Sequence, residues 1–427
     1  MDAESVLREG AVTGMRRRWW LVAGAAVGLV VGLVGAVLWP RPAAPAGPSS
    51  PSAGTSTPTA GQTPPPPGPS SPSGRAQAAF AALLHAYRAP SGVLASAPGP
   101  GGYYGAGNRP HPTAVWGYTW ALAAAEDAAQ LPGAPASARA TVRSLADGLA
   151  PYWDARAAVP AYSPYPHGGP HTTKFYDDNA WAGLDLVGAY RLTGDHAFLA
   201  QAERVMRYER TGWDAAGGGI YWNDHHLTRN TPSNAPVAEL AAYLYLATHQ
   251  PSDLRWAERI YAWQESTLVD PRTGQVWDHI NAGGQIQHSL WTYNLGTVIG
   301  AGALLYHITG QAAYLAQAQR TAAFALAHAV FVNGILLPQA EFNGVLVDNL
   351  QLLNQVRPDP AIAHLIALNA ASAWTRARSA PDLFGPNWSG PPPVPATVKL
   401  LQQTGAVRLL AVAAALVHGR GFAGFAL

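Results

Sequence analysis

Three stretches of this chain superimpose on one another: "YRLTGDHAFLAQAERV" (190–205), "YLATHQPSDLRWAERI" (245–260) and "YHITGQAAYLAQAQRT" (306–321). Tyr190, Tyr245 and Tyr306 coincide, as do Leu199, Leu254 and Leu315, then Arg204, Arg259 and Arg320, at intervals of 55 and 61 residues. Asn179, Asn234 and Asn294 precede those tyrosines by 11, 11 and 12 residues, and a loop ("GGGIYW", "TGQVWD", "NGILLP") follows each copy. A period of this size marks a repeat architecture. Trp181, Leu184, Leu186, Val187 and Tyr190 recur at helical spacing, and "TGD" after Leu192 is a stop signal. Each unit therefore reads as helix, polar turn, helix, loop. Weaker copies lie at 116–149 and 342–378, and helical stretches at 76–88 and 397–417 could pair as a sixth. Helical hairpins cannot bury their faces singly and must stack. Six of them, at about 58 residues each, predict an all-α (α/α)6 toroid, with an open helical solenoid as the alternative.

The repeats occupy residues 76–427. Ahead of them, residues 1–18 end in the basic run Arg16–Arg18, and 19–39 ("WWLVAGAAVGLVVGLVGAVLW") is an uncharged run of 21 residues. As a helix it spans about 30 Å, the thickness of a bilayer's hydrocarbon core. The arginines before it predict a cytoplasmic N-terminus and an extracytoplasmic body held at the cell membrane. A signal peptide cleaved near Ala44-Pro45-Ala46, leaving a secreted body, is the alternative. Gly24, Gly28 and Gly32 have the spacing of a weak membrane-helix dimer. Residues 40–75, rich in Pro, Ser and Gly without one aromatic, are expected to form a disordered linker.

Composition bounds the chemistry of the body. The absence of cysteine excludes thiolate metal sites, Fe–S clusters and Cys nucleophiles. A net charge of +2 with no basic face argues against nucleic acid. His167, His171, His225 and His226 lack zinc-site spacing, and no EF-hand loop is present, so neither metal nor cofactor is expected. No G-x-S-x-G nucleophile motif is present. Fifteen Trp and 17 Tyr, by contrast, are many for 427 residues and suit a carbohydrate cleft.

Charged residues make up only 12% of the chain, yet "KFYDDNAW" (174–181) sets Asp177 beside Asp178. One acid at a helix start is a cap, whereas two adjacent acids raise each other's cost. The corresponding junctions "TPSNAP" and "WTYNLG" keep the Asn and drop the acids, so capping does not require them. The pair suits glycoside hydrolysis, in which one carboxyl is an acid/base and the other a nucleophile. Tyr176, Trp181, Tyr221 and Trp222 would stack on sugar faces. Asn223, Asn234, Asp278 and Asn294 could bind hydroxyls, and Asn179, Trp291 and Tyr293 from the same junctions join the candidate substrate-binding set.

In this order, "YDDNAWAGLDLVGAYRLTGD", "GGGIYWN", "NAPVAELAAYLYLAT", "TGQVWDHI", "WTYNLGTVIGAGALLYHITG" and "FNGVLVDNLQLL" resemble glycoside hydrolase family 76, the endo-α-1,6-mannanases, over about residues 80–415. The resemblance implies an (α/α)6 barrel and retaining hydrolysis of α-1,6-linked mannan. It makes Asp177 the nucleophile, Asp178 the acid/base, and an α-mannan of the cell envelope the partner. Leu295 stands where the family's "WTYNQG" has Gln, and Asn343 where its "FKG" has Lys. A transglycosylase acting on α-mannosyl glycans and a catalytically silent glycan-binding protein are the alternatives.

Overall fold

The computed structural model describes residues 68–99, 104–105, 109–110, 112–331 and 333–418. The expected cytoplasmic N-terminus (1–18), the membrane anchor (19–39) and all but the end of the linker (40–75) lie outside the described residues.

Twelve α-helices form among the described residues: α1 (Pro72–Tyr87), α2 (Val115–Ala129), α3 (Ala138–Asp147), α4 (Tyr176–Thr193), α5 (His196–Thr211), α6 (Thr231–Thr248), α7 (Pro251–Thr267), α8 (Thr292–Thr309), α9 (Ala312–His328), α10 (Ala340–Val356), α11 (Pro360–Arg376) and α12 (Leu400–Val417). The first helix begins inside the segment expected to be linker, because Ser71 accepts from Gly74 N–H (3.0 Å) and Pro72 takes the first helical position.

The turns inside the repeats share one design. Gly194, His249 and Gly310 take left-handed backbone (φ of 72°, 55° and 69°) and donate to the carbonyls of Tyr190, Tyr245 and Tyr306 at 2.8 Å each. This is the αL termination that glycine favours, and the middle repeat makes it with a histidine. One residue earlier, Thr193, Thr248 and Thr309 bond back to the carbonyls of Ala189, Leu244 and Leu305, and their hydroxyls accept from the amide two residues on. The aligned residues therefore report local turn chemistry.

Helices α2, α4, α6, α8, α10 and α12 form a closed inner ring in which α12 packs against α2, and α1 packs on α12 to complete the sixth pair. The toroid predicted from the repeats is thus closed, and the open solenoid is excluded. Inner helices are buried on nearly every face, outer ones on one stripe. Where α10 meets α12, a Cβ on Gly405 would lie 1.8 Å from the Ala340 carbonyl oxygen, so only glycine admits that approach. Helix α12 is long and apolar enough to cross a membrane, but its apolar window is 78% buried in the ring.

Halfway down the inner helices lies a sealed ionic layer. Arg408 of α12 pairs with Asp348 of α10 and, at 3.6 Å, with Asp127 of α2, and Glu126, Asp185 and Glu239 stand around them, all buried. At the N-terminal ends of the inner helices the loops carry short strands. An antiparallel hairpin joins 153–154 to 161–162, and a three-stranded sheet orders 228–230, 279–281 and 286–287 with Asn230 opposite His279 and His279 opposite Gln287. These loops frame the cleft.

Candidate active site

Asp177 and Asp178 occupy the first turn of α4, whose entry is held by its neighbours. Tyr176 N–H donates to the Trp222 carbonyl (2.9 Å), and Phe175 pairs with Asn223 in an isolated bridge. Lys174, one of two lysines in the chain, is buried against Asp154 at 3.1 Å. With this entry fixed, the Asp177 carboxylate accepts from Trp222 Nε1 and from Asp178 N–H, both at 3.0 Å. The Asp178 carboxyl accepts no hydrogen bond among the described residues.

Both acids are half-buried, at the positive end of a helix. That dipole favours ionisation, but burial outweighs it. Asp177 is pushed up to about 7 by burial, with the Trp222 hydrogen bond pulling the other way. Asp178 rises well above the usual range through burial and the charge of Asp177. Asp278 adds its charge to Asp177 and raises it further. Its own carboxylate is held by His279 Nδ1 (2.8 Å) and Asn294 Nδ2 (3.1 Å). Tyr293 lies in the field of Asp278 and Asp177, and burial first of all holds its phenol protonated.

The predicted set separates by direction. Asp177, Asp178, Trp222, Asp278 and Tyr293 converge. Trp291 and Tyr293 pack on Phe342 at 5.5 and 4.6 Å as an aromatic wall, and Tyr221 stacks on His226 at 4.5 Å in the 221–226 loop. Other members face inward, against expectation. Tyr176 is buried and stacked on Tyr208 at 4.6 Å, and Trp181 is buried edge-on against Trp120. Asn179 is fully buried, its amide clamping Tyr162 N–H (2.7 Å) and C=O (3.0 Å) and bonding Phe175 C=O. Asn234 grips Ile220 in the same way at 2.7 and 2.9 Å. Asn223 is buried and turns the loop by accepting from His225 N–H. Asn294 reaches the cleft only by holding Asp278.

Asn179 and Asn234 are thus clamps that hold a loop to the start of an inner helix, whereas Asn294 spends its Nδ2 on Asp278 and its Oδ1 has no hydrogen-bond partner among the described residues. Leu295 and Asn343 are also buried, with Asn343 bonded to the Leu337 carbonyl, so neither departure from the family pattern faces the cleft. Sequence reasoning missed Glu209, fully buried and pushed well above the usual carboxyl range by burial and then by the charge of Asp177. It also missed Lys174 and Phe342, although the rarity of lysine flagged the first and the "FNG" motif contained the second.

A closed helical toroid with two adjacent carboxyls of unequal environment beside aromatic side chains is an arrangement that glycoside hydrolysis can use. The sequence model of glycosyl hydrolase family 76 matches residues 77–420, and the chain belongs to that family. Its fold matches the family 76 mannosidase of Bacteroides thetaiotaomicron with a TM-score of 0.75 at 25% identity, over 82% of this chain and all (100%) of that one. The α-1,6-mannanase of a Salegentibacter species matches with a TM-score of 0.69 at 27% identity, over 81% and 99%. An inactive variant of that mannanase, with two consecutive aspartates changed to asparagine, is known in complex with α-1,6-mannotriose. The mannan endo-1,6-α-mannosidase DCW1 of Candida glabrata is 30% identical over 191 residues, 40% of this chain and 42% of the relative. The chain thus matches about two fifths of that relative's length.

Proposed function

We propose that the protein is a retaining hydrolase of α-1,6-linked mannan, with Asp177 as nucleophile and Asp178 as acid/base. The observation that carries the role order is the unequal hydrogen bonding of the pair. Two donors on Asp177 favour its ionised form, and their absence on Asp178 leaves burial and Asp177's charge to keep it protonated. The chain's only consecutive aspartates are these two, and the inactive mannanase variant was made at such a pair. The linkage rests on the relatives named for α-1,6-mannan.

In the first step the Asp177 carboxylate forms a bond to the anomeric carbon as the glycosidic C–O bond breaks, and Asp178 gives its proton to the departing oxygen. In the second, Asp178 takes a proton from water, the water oxygen bonds to the anomeric carbon, and the ester to Asp177 breaks. Tyr293 and Asp278 border the sugar that becomes attached, and Trp222 holds the nucleophile's free oxygen. The apolar run at 19–39 tethers this body at the outer face of the cell membrane, with an envelope mannan within reach.

Digestion of linear α-1,6-mannan by residues 68–427, followed by NMR of the first-formed anomer, tests substrate and stereochemistry together. Initial α-product supports retention. Initial β-product, or an intact polymer, overturns the reading. Longer products in place of shorter ones would indicate transfer to sugar in place of hydrolysis.

A further inference from the structure

One hairpin grips the first turn of α4 from both sides. Asn179, just past the acid pair, clamps Tyr162 N–H and C=O on the hairpin's second strand. Lys174, just ahead of the pair, stands 3.1 Å from Asp154 on the first strand, where Asp154 lies opposite Ala161 and Trp153 opposite Tyr162. The Lys174 ammonium also donates to the carbonyls of Gly169 (3.3 Å) and Thr172 (3.1 Å), and Asp154 accepts from Arg156 N–H (3.0 Å). Both side chains of the ion pair are sealed, at 4% and 1% exposure. A buried ammonium is costly without its counter-charge, so the pair fixes where residue 174 sits.

From that point residues 173–176 run antiparallel to 222–225. Thr173 Oγ1 meets His225 Nε2 (2.8 Å), and Phe175 bridges Asn223. Lys174 N–H donates to the Asp224 carboxylate (3.1 Å), and Asp224 N–H donates to Lys174 C=O (3.2 Å). Tyr176 N–H donates to Trp222 C=O (2.9 Å), and the Phe175 and Trp222 rings lie 5.0 Å apart. In this register the Trp222 indole reaches the Asp177 carboxylate at 3.0 Å. A slip of one residue would turn Trp222 to the opposite face of the ladder. So short a two-stranded pairing is marginal by itself and needs an anchor outside it.

We propose that Lys174 is a positioning residue of the active site: its ion pair with Asp154 locks 173–176 in register with 222–225 and so keeps the Trp222 indole on the Asp177 carboxylate. Lys174 acts through Trp222 and takes no part in the chemistry itself. The proposal rests on Asp177 as nucleophile, because a donor held in place favours the ionised form that attacks the anomeric carbon.

The test is a double-mutant cycle read on the pH profile. Lys174→Met should move the rising limb of kcat/KM on linear α-1,6-mannan to higher pH, with about a tenfold loss at neutral pH. Lys174→Met/Trp222→Phe should keep the limb of Trp222→Phe, since both changes remove the same hydrogen bond. The indole Hε1 resonance of Trp222, identified by its absence in Trp222→Phe, should move upfield in Lys174→Met as the donor leaves the carboxylate. If Lys174→Met does not fold, Asp154→Asn, which keeps the shape of the side chain and removes its charge, carries the same expectations. An unmoved limb or an unmoved indole resonance overturns the proposal and leaves the ion pair a structural staple. Additive shifts in the double variant overturn it as well, because Lys174 would then reach Asp177 without Trp222. Wild type that leaves mannan intact overturns the proposed function, and the indole resonance then decides the positioning by itself.

Discussion

Carboxylates gather at two levels of the same inner helices, and the two gatherings are built in opposite ways. At the rim, Asp177 and Asp178 face the cleft, and the indole of Trp222 donates to one of them. Seven residues down the same helix from Asp178 is Asp185, about 10 Å by helix rise, in the sealed layer with Glu126, Asp127, Glu239 and Asp348 around Arg408. There burial drives Glu126, Asp127, Asp185 and Glu239 well above the usual carboxyl range, and Arg408 offsets only part of it. The lower layer has more acids and a full positive charge, yet no route to a substrate. What separates the proposed catalytic pair from the structural cluster is the indole donor on one carboxylate, together with its partial exposure.

The comparison can be broken most severely at the rim. Asp177→Asn and Asp178→Asn should each lower kcat on α-1,6-mannan by about four orders of magnitude, with the fold retained by circular dichroism. Activity near wild type in either would remove that residue from the chemistry. Stability should respond in the other direction. Because the folded state raises Asp177 from 3.8 to about 7, it binds that proton more tightly than the unfolded chain. Stability from this group is present below about pH 4 and is lost as pH rises toward 7. Thermal melts should therefore show Asp177→Asn gaining on wild type across that window and matching it below.

In the sealed layer, Arg408→Met should cost about 3–5 kcal/mol in urea unfolding, because it leaves buried acids without their cation. A neutral result would mean those acids are protonated without its help. Asn179→Ala should cost about 1–3 kcal/mol, since it strands the Tyr162 N–H and C=O. A loss confined to KM with stability unchanged would instead return Asn179 to the substrate-binding set. The smallest effect belongs to Trp222→Phe. Removing the donor that holds Asp177 down should move the rising limb of kcat/KM, placed near pH 7 in wild type by Asp177, to higher pH, with about a tenfold loss at neutral pH. An unmoved limb would show that Trp222 does not tune the nucleophile.

Much of the fold was legible in the chain because its signals are local. Tyr190, Thr193 and Gly194 and their counterparts cap a helix with bonds that span four residues or fewer, so a repeated pattern predicts a repeated turn. The pairing of the first and last helical stretches followed from counting units, and α1 on α12 matches it. The asparagines were legible as positions but not as roles. Successive side chains on a helix turn by about 100°, so Asp177, Asp178 and Asn179 point three ways. Which of them meets the cleft depends on partners at Trp222 and Tyr162, 45 and 17 residues away in sequence. The same rotation sent Tyr176 and Trp181 into the core.

By itself, then, the sequence determined twelve helices, their turns and the need to close them into a ring, because backbone bonds between near neighbours and an unpaired apolar face leave few other outcomes. It also singled out Asp177 and Asp178 as the one junction that departs from its own repeats. Only the tertiary structure decided which acid carries the donors, which aromatic residues line the cleft and how high burial lifts each carboxyl. Those quantities depend on atoms from separate repeats brought within a few ångströms of one another, and on how much water the closed ring excludes.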